Sequence, residues 1–182
     1  GLSFPFIGAK LRGEQDVKVV AVEPANCPTL TKGKYAYDFG DTGNLTPLVK
    51  MHTLGSAFLP PASHAGGLRY HGMAPLVSQL VNLGEINPTA YSQTDCFDAG
   101  ITFARAEGIV PAPEANHAVK GAIVEALRCK EEGTSRAILF NLCGHGYFDM
   151  QAYTDYNSGK LEDYAYDESE VAMALAGLPS IS

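Results

Sequence analysis

Residues 136–149, RAILFNLCGHGYFD, decide how the rest of the chain is read. Ala137, Ile138, Leu139 and Phe140 form an apolar run, Cys143-Gly144-His145-Gly146 breaks it, and a helix is expected behind Asp149. A strand over 137–142 followed by a glycine-rich turn and a helix is how open α/β sheets build ligand sites, because the crevice lies beyond the carboxyl ends of the strands. A cysteine and a histidine held in that turn would face whatever occupies the crevice.

Upstream, VKVVAV (17–22) is the clearest strand, β-branched and mostly apolar, ended by Glu23-Pro24. A short helix is predicted over 3–11, with Ser3 as N-cap, Pro5 in the first turn and Gly13 as the stop. Residues 27–47, rich in Gly, Pro, Thr and Tyr, read as irregular with a short helix near Leu30, and 48–58 admit no single assignment. PPASHAGGLRYHG (60–72) is a loop by composition, and a loop this long in a compact domain is usually functional or disordered. A helix over 73–83 presents Leu76, Val77, Leu80 and Leu83, and a short strand follows over 87–93. Thr94 or Asp95 caps a helix to Ala106, EGIVPAP (107–113) breaks it, and another helix covers 114–129. Beyond 151 the chain is polar, Tyr-rich and acidic, with one more amphipathic helix over 168–176.

Helices of 10 to 15 residues alternating with strands predict an α/β fold, a three-layer, mostly parallel sheet flanked by helices. Right-handed crossovers would put the Glu107 turn and the Cys143 turn on related edges of that sheet. One domain is expected over 1–182, with 157–182 as a polar acidic C-terminal extension.

Hydrophobic content of 46% and charged content of 18% suit a globular protein. The net charge of -7 gives nucleic-acid binding no electrostatic footing. No apolar run approaches the roughly 20 residues that span a membrane, and no secretory signal is visible. Cys27, Cys96, Cys129 and Cys143 are widely spaced, which fits reduced thiols in a cytoplasm better than a disulfide framework. The chain opens at Gly1 directly into SFPFIGAKLRG, which reads as the inside of a fold, so a longer protein with an N-terminal part is expected.

Cys143 is the first candidate for chemistry. A thiol between strand and helix can be activated by the helix dipole and by His145, or it can be a buried, inert cysteine. Glu107, next to Gly108, is either a carboxylate at a pocket or a solvated helix-end residue. His64 and His71 flank the loop, where they could bind a metal, although no third ligand stands at recognisable spacing; alternatively the loop closes over a substrate or packs on a neighbour. Arg69 could grip a carboxylate or simply be exposed. His117 lies on the same helical face as Glu114 and reads as a packing residue, and His52 has no visible partner.

Together these motifs resemble one family. Residues 107–118, EGIVPAPEANHA, are similar to the E-G-I-x-P-A-x-E-x-x-H-A segment of tryptophan synthase beta subunits. Residues 141–146, NLCGHG, are similar to their N-L-S-G-x-G turn, and HAGGLRYHG (64–72) to their A-G-L loop in its second, divergent form. The resemblance covers the chain from Gly1 to about Tyr156. It implies a fold-type II pyridoxal 5'-phosphate (PLP) enzyme joining L-serine to indole to give L-tryptophan and water. It implies that Cys143 stands where a serine usually hydrogen-bonds the cofactor's pyridine nitrogen, a weaker partner than a hydroxyl. Glu107 would lie beside the ring, with Gly108 and Gly144 allowing close approach.

The family's Schiff-base lysine, its serine-carboxylate loop and its glycine-rich phosphate loop belong to an earlier part of the sequence, and none of the eight lysines here matches the lysine motif. The resemblance therefore implies a C-terminal fragment, inactive alone, with no catalytic residue and no metal ligand of its own. A homodimer, an alpha subunit and a monovalent cation held by carbonyls near Tyr70 and Gly72 belong to the same implication. Two other functions compete. One is a cysteine-dependent hydrolase or amidotransferase using Cys143 with His145 or His117 as base, although Asn141 stands where a nucleophile elbow wants glycine. The other is a non-catalytic half-domain that binds a partner through an exposed apolar face.

Overall fold

A computed structural model describes residues 1–179; the last three positions of the 157–182 extension lie outside the described residues. In chain order the elements are α1 (Ser3–Leu11), β1 (Val19–Pro24), β2 (Lys34–Asp38), β3 (Val49–Thr53), a 3-10 turn (Gly66–Leu68), α2 (Pro75–Asn82), β4 (Ile86–Tyr91), α3 (Gln93–Glu107), α4 (Pro113–Glu131), α5 (Met150–Asn157) and α6 (Glu168–Ala176). The α/β class stands: β1 and β4 pair in parallel from Val19↔Ile86 to Pro24↔Tyr91, with helices packed around them. Pro88 in the middle of β4 cannot donate to a ladder, which suits an edge strand. A second pair, β2 with β3, is antiparallel.

Local chemistry explains the best-read elements. Helices over 3–11 and 168–176 form within the expected bounds. Helix α3 starts two or three residues earlier than expected, because the Ser92 hydroxyl accepts from the Asp95 amide and so outcompetes Thr94 and Asp95 as cap. It ends at Gly108, whose left-handed φ of 70° closes the last turn. Pro113 then opens α4 at the position where a missing amide hydrogen costs nothing. α3 and α4 lie close together: a Cβ added at Gly100 would sit 2.1 Å from Asn116 Oδ1. Gly121 brings α4 equally near β1, with no room for a Cβ against Val22.

Two expectations need correction. The run over 137–142 is not a strand; no ladder reaches it among the described residues. Its composition is right for one, but a strand exists only with a neighbour to satisfy its amides and carbonyls. Leu139 is accordingly 67% exposed. The second correction is the β2–β3 hairpin, whose strands lie within the irregular stretch and the unassigned one, while the short helix expected near Leu30 is only a turn. Its buried anchor is Asp38, fully enclosed and accepting from the Thr53 hydroxyl at 2.7 Å. Asp41 folds the connection by accepting from the amides of Leu45 and Thr46.

The acidic extension carries a packed element. Val171 of α6 is buried with Cys27, Leu54 and Phe58, and Ala174 presses on Gly55, whose φ of 96° suits only glycine. Among the described residues no helix is long and apolar enough to cross a membrane. All four cysteines are free thiols.

Candidate functional site

The two glycine-bearing turns singled out in the sequence meet. After Gly108 the chain folds back, and Pro111 bridges His145 in a short antiparallel pairing. Gly146 donates its amide to Val110 O at 2.8 Å, and the Ala112 amide donates to Gly144 O at 3.2 Å. Glycine is required on this second turn. Gly144 has φ 79°, and a Cβ there would lie 3.1 Å from Ala112 Cβ. A Cβ at Gly146 would lie 2.5 Å from Pro111 O and 2.8 Å from Val110 Cγ1. Cys143 and Gly144 are thus tied to the segment that begins at Glu107 and Gly108.

Within this arrangement Glu107 and Cys143 are exposed, whereas a Cβ on Gly108 would meet no atom within 4 Å. Gly108 thus has open space around it, the Cys143 side chain is exposed, and Gly144 brings its turn against Ala112. His145 lies beside Tyr147 and Phe148, and its Nδ1 accepts from the Tyr147 amide at 3.3 Å. His117 is buried, and its Nδ1 is bonded to Pro113 O at 2.9 Å. Burial lowers its pKa below the usual histidine value, with the Pro113 carbonyl pulling the other way. No hydrogen bond joins Cys143 to either histidine among the described residues.

The long loop joins the same region from the side. The Gly67 amide donates to Glu114 Oε1 at 2.9 Å, which fixes the 3-10 turn on the first turn of α4. Gln93 accepts from the His64 amide at 2.8 Å, and the His64 ring meets Phe97 edge-on. His71 binds the Phe39 carbonyl at 2.8 Å, so the two histidines have separate tasks. Arg69 turns inward: Nη1 donates to Pro61 O at 3.1 Å within its own loop. The Tyr70 carbonyl accepts from Thr29 Oγ1 at 2.6 Å and from Cys27 Sγ at 3.3 Å. Burial pushes the Cys27 thiol up to about 11 and the Cys96 thiol up to about 12, so both remain protonated and inert at neutral pH.

Two residues behind the turns were not found in the sequence. Tyr153 of α5 is buried, and its hydroxyl donates to Pro111 O at 2.6 Å while accepting from Asn116 Nδ2 at 2.9 Å. Its ring packs edge-on against Phe97, 5.0 Å between centroids. Asn116 lies inside the EGIVPAPEANHA segment, which was the only available signal; Tyr153 sits in a stretch whose tyrosines all look alike.

The chain has relatives recognisable by sequence. "Tryptophan synthase beta chain 2" of Aquifex aeolicus is 63% identical over 166 residues, covering 90% of this chain and 38% of the relative. The chain is similar to tryptophan synthase beta chains. A second-type chain of Methanosarcina mazei is 56% identical over 89% of this chain and 37% of its own length. "Tryptophan synthase beta chain" of Thermococcus onnurineus is 55% identical over 92% of this chain and 38% of its own length. The chain therefore spans about 38% of the length of the curated tryptophan synthase beta relatives it matches. No protein-family model matches it. Among solved structures, a fungal L-serine ammonia-lyase from Rhizomucor miehei shares the fold, with a TM-score of 0.57 at 15% identity, over 88% of this chain and 46% of that one.

Proposed function

We propose that this chain forms one wall of the cofactor site of a PLP-dependent lyase that condenses L-serine with indole to give L-tryptophan and water. The observation that carries the reading is the joining of Val110 and Ala112, shortly after Glu107 and Gly108, to Gly146 and Gly144, shortly after Cys143, by backbone hydrogen bonds, in a chain 63% identical over 166 residues to a tryptophan synthase beta chain. In this reading Cys143 offers its thiol to the pyridine nitrogen, a neutral partner that leaves that nitrogen without a proton. Glu107 stands beside the ring, and Gly108 and Gly144 let the backbone come close. PLP, when bound, supplies an electron sink through which serine can exchange its β-hydroxyl for indole. The residues of this chain bind and orient; none of its eight lysines matches the family's cofactor-bearing lysine, so the activity belongs to a longer protein.

The same reading carries a homodimer, an alpha subunit as partner and a cytoplasmic setting, the last fitting four free thiols. A monovalent cation near Tyr70 rests on the family resemblance alone, since the Tyr70 carbonyl already accepts two hydrogen bonds. The cysteine-hydrolase reading gains no support from Cys143, which has no base within hydrogen-bonding distance among the described residues.

The test is to titrate PLP into the longer protein that contains this sequence, then add L-serine and indole. Tryptophan should form, and Cys143→Ala should shift the absorption of bound PLP while Cys143→Ser should restore a spectrum near that of the relatives. The isolated 182-residue chain given the same reagents should form none. Turnover by the isolated chain, or a longer protein that ignores PLP, would overturn the proposal.

A further inference from the structure

Glu107 and Gly108 close the C-terminal end of α3, whereas Cys143 and Gly144 come after α4, so the spacing of the two halves of the wall is not set by the chain between them. Two backbone hydrogen bonds link the turns directly. Tyr153 is the side chain that touches both: its hydroxyl donates to Pro111 O on the first turn, and its Cε2 lies 3.1 Å from where a Cβ of Gly146 on the second would be. The tyrosine is itself held in place. Asn116 Nδ2 donates to the phenol oxygen, Asn116 is fully buried, and Gly100 leaves it just enough room. Phe97 and Tyr156 close the other side of the aromatic cluster, with Phe97–Tyr156 rings 5.8 Å apart. A buried phenol that is fully hydrogen-bonded at one fixed position acts as a rigid spacer, since any displacement strands a polar group away from water.

We propose that Tyr153, supported by Asn116, is a positioning residue that sets the separation of the two cofactor-binding turns. This rests on the PLP reading above for what the turns bind, but the pin itself stands on geometry alone. Tyr153 touches no reacting atom; it acts through Pro111 and Gly146. Removing only its hydroxyl, in Tyr153→Phe, keeps the ring against Phe97 and releases Pro111 O and Asn116 from their shared partner.

The experiment uses the longer protein and compares wild type, Tyr153→Phe, Asn116→Ser and Tyr156→Phe. Two quantities are read: amide hydrogen exchange at Gly146 and Ala112, and the dissociation constant and absorption maximum for PLP itself. Tyr153→Phe is expected to speed exchange at both amides about tenfold or more, to weaken PLP binding about tenfold and to move its absorption maximum. Asn116→Ser should give a smaller change in the same direction, and Tyr156→Phe, whose hydroxyl reaches only the exposed Asp98 at 3.5 Å, should leave PLP binding unchanged. Unaltered exchange in Tyr153→Phe would overturn the pin. Faster exchange with unchanged PLP affinity and spectrum would overturn its role in positioning the cofactor. If wild type binds no PLP, the functional reading fails, while the exchange data still decide the pin.

Discussion

Residues 137–142 and 143–146 are neighbours in sequence and opposites in structure. The second stretch is held at its two glycines: Gly144 and Gly146 are hydrogen-bonded to Ala112 and Val110, and Tyr153 closes behind Gly146. The first is the more apolar of the two, yet Leu139 is 67% exposed and no ladder bond reaches it. Its firmest packing is Phe140 set edge-on against Phe103, beside an apolar cavity of about 260 Å³ floored by Val119, Ala122, Ile123 and Ala126. The difference shows that hydrophobicity alone does not make a segment a strand. A turn carries its partners in its own glycines and in a nearby helix, whereas a strand must be given a neighbour.

That contrast can be broken, and the largest effect should come from the cluster under the turns. Phe97 is 1% exposed and packs on Tyr153, Tyr156 and His64, so Phe97→Ala should cost about 3–5 kcal/mol in chemical unfolding. Next, Gly146→Ala forces a Cβ toward the Pro111 carbonyl, which is backbone and cannot swing away; overpacking of that kind costs about 1–3 kcal/mol. A loss of less than about 0.5 kcal/mol, the range of ordinary surface changes, would mean that the turns are looser than described.

A third test sharpens the comparison through pH. His117, in the first turns of α4 beside the paired segment, has a pKa lowered chiefly by burial. The unfolded chain therefore takes up the proton first, and stability should fall as pH drops below about 6.5. His52, also lowered by burial, adds in the same direction. In urea titrations between neutral and mildly acid pH, His117→Asn should flatten part of that decline, and an unchanged slope would remove His117 from the account. The smallest effect belongs to the unpaired run: Leu139→Ser should change stability by less than about 0.5 kcal/mol, and a loss near 2 kcal/mol would show that the segment is buried after all.

How much was legible follows the same division. The turns could be read because their instructions are local: Gly108 in the left-handed region, Pro113 at the first position of α4, Gly144 and Gly146 where no Cβ fits. That the segment after Glu107 would come near the turn of Cys143 was legible from the order of the elements around them. The pin was not, since Asn116 and Tyr153 are 37 residues apart and neither has a distinctive setting. The β2–β3 hairpin escaped for a related reason. KYAYD has no clear period and VKMHT alternates over only four residues, and the buried Asp38–Thr53 bond that anchors the pair exists only in the folded chain. The 137–142 run failed in the other direction, with a strong strand signal and no ladder to join.

The most direct measurement is residue-resolved amide hydrogen exchange on the 182-residue chain. The amides of Ala112 and Gly146 should be protected, and those of Ile138, Leu139 and Phe140 should exchange close to the rate of an unstructured peptide. Equal exchange at the two sets, or protection confined to 138–140, would contradict the central claim that the pairing of the two turns is already built within this chain.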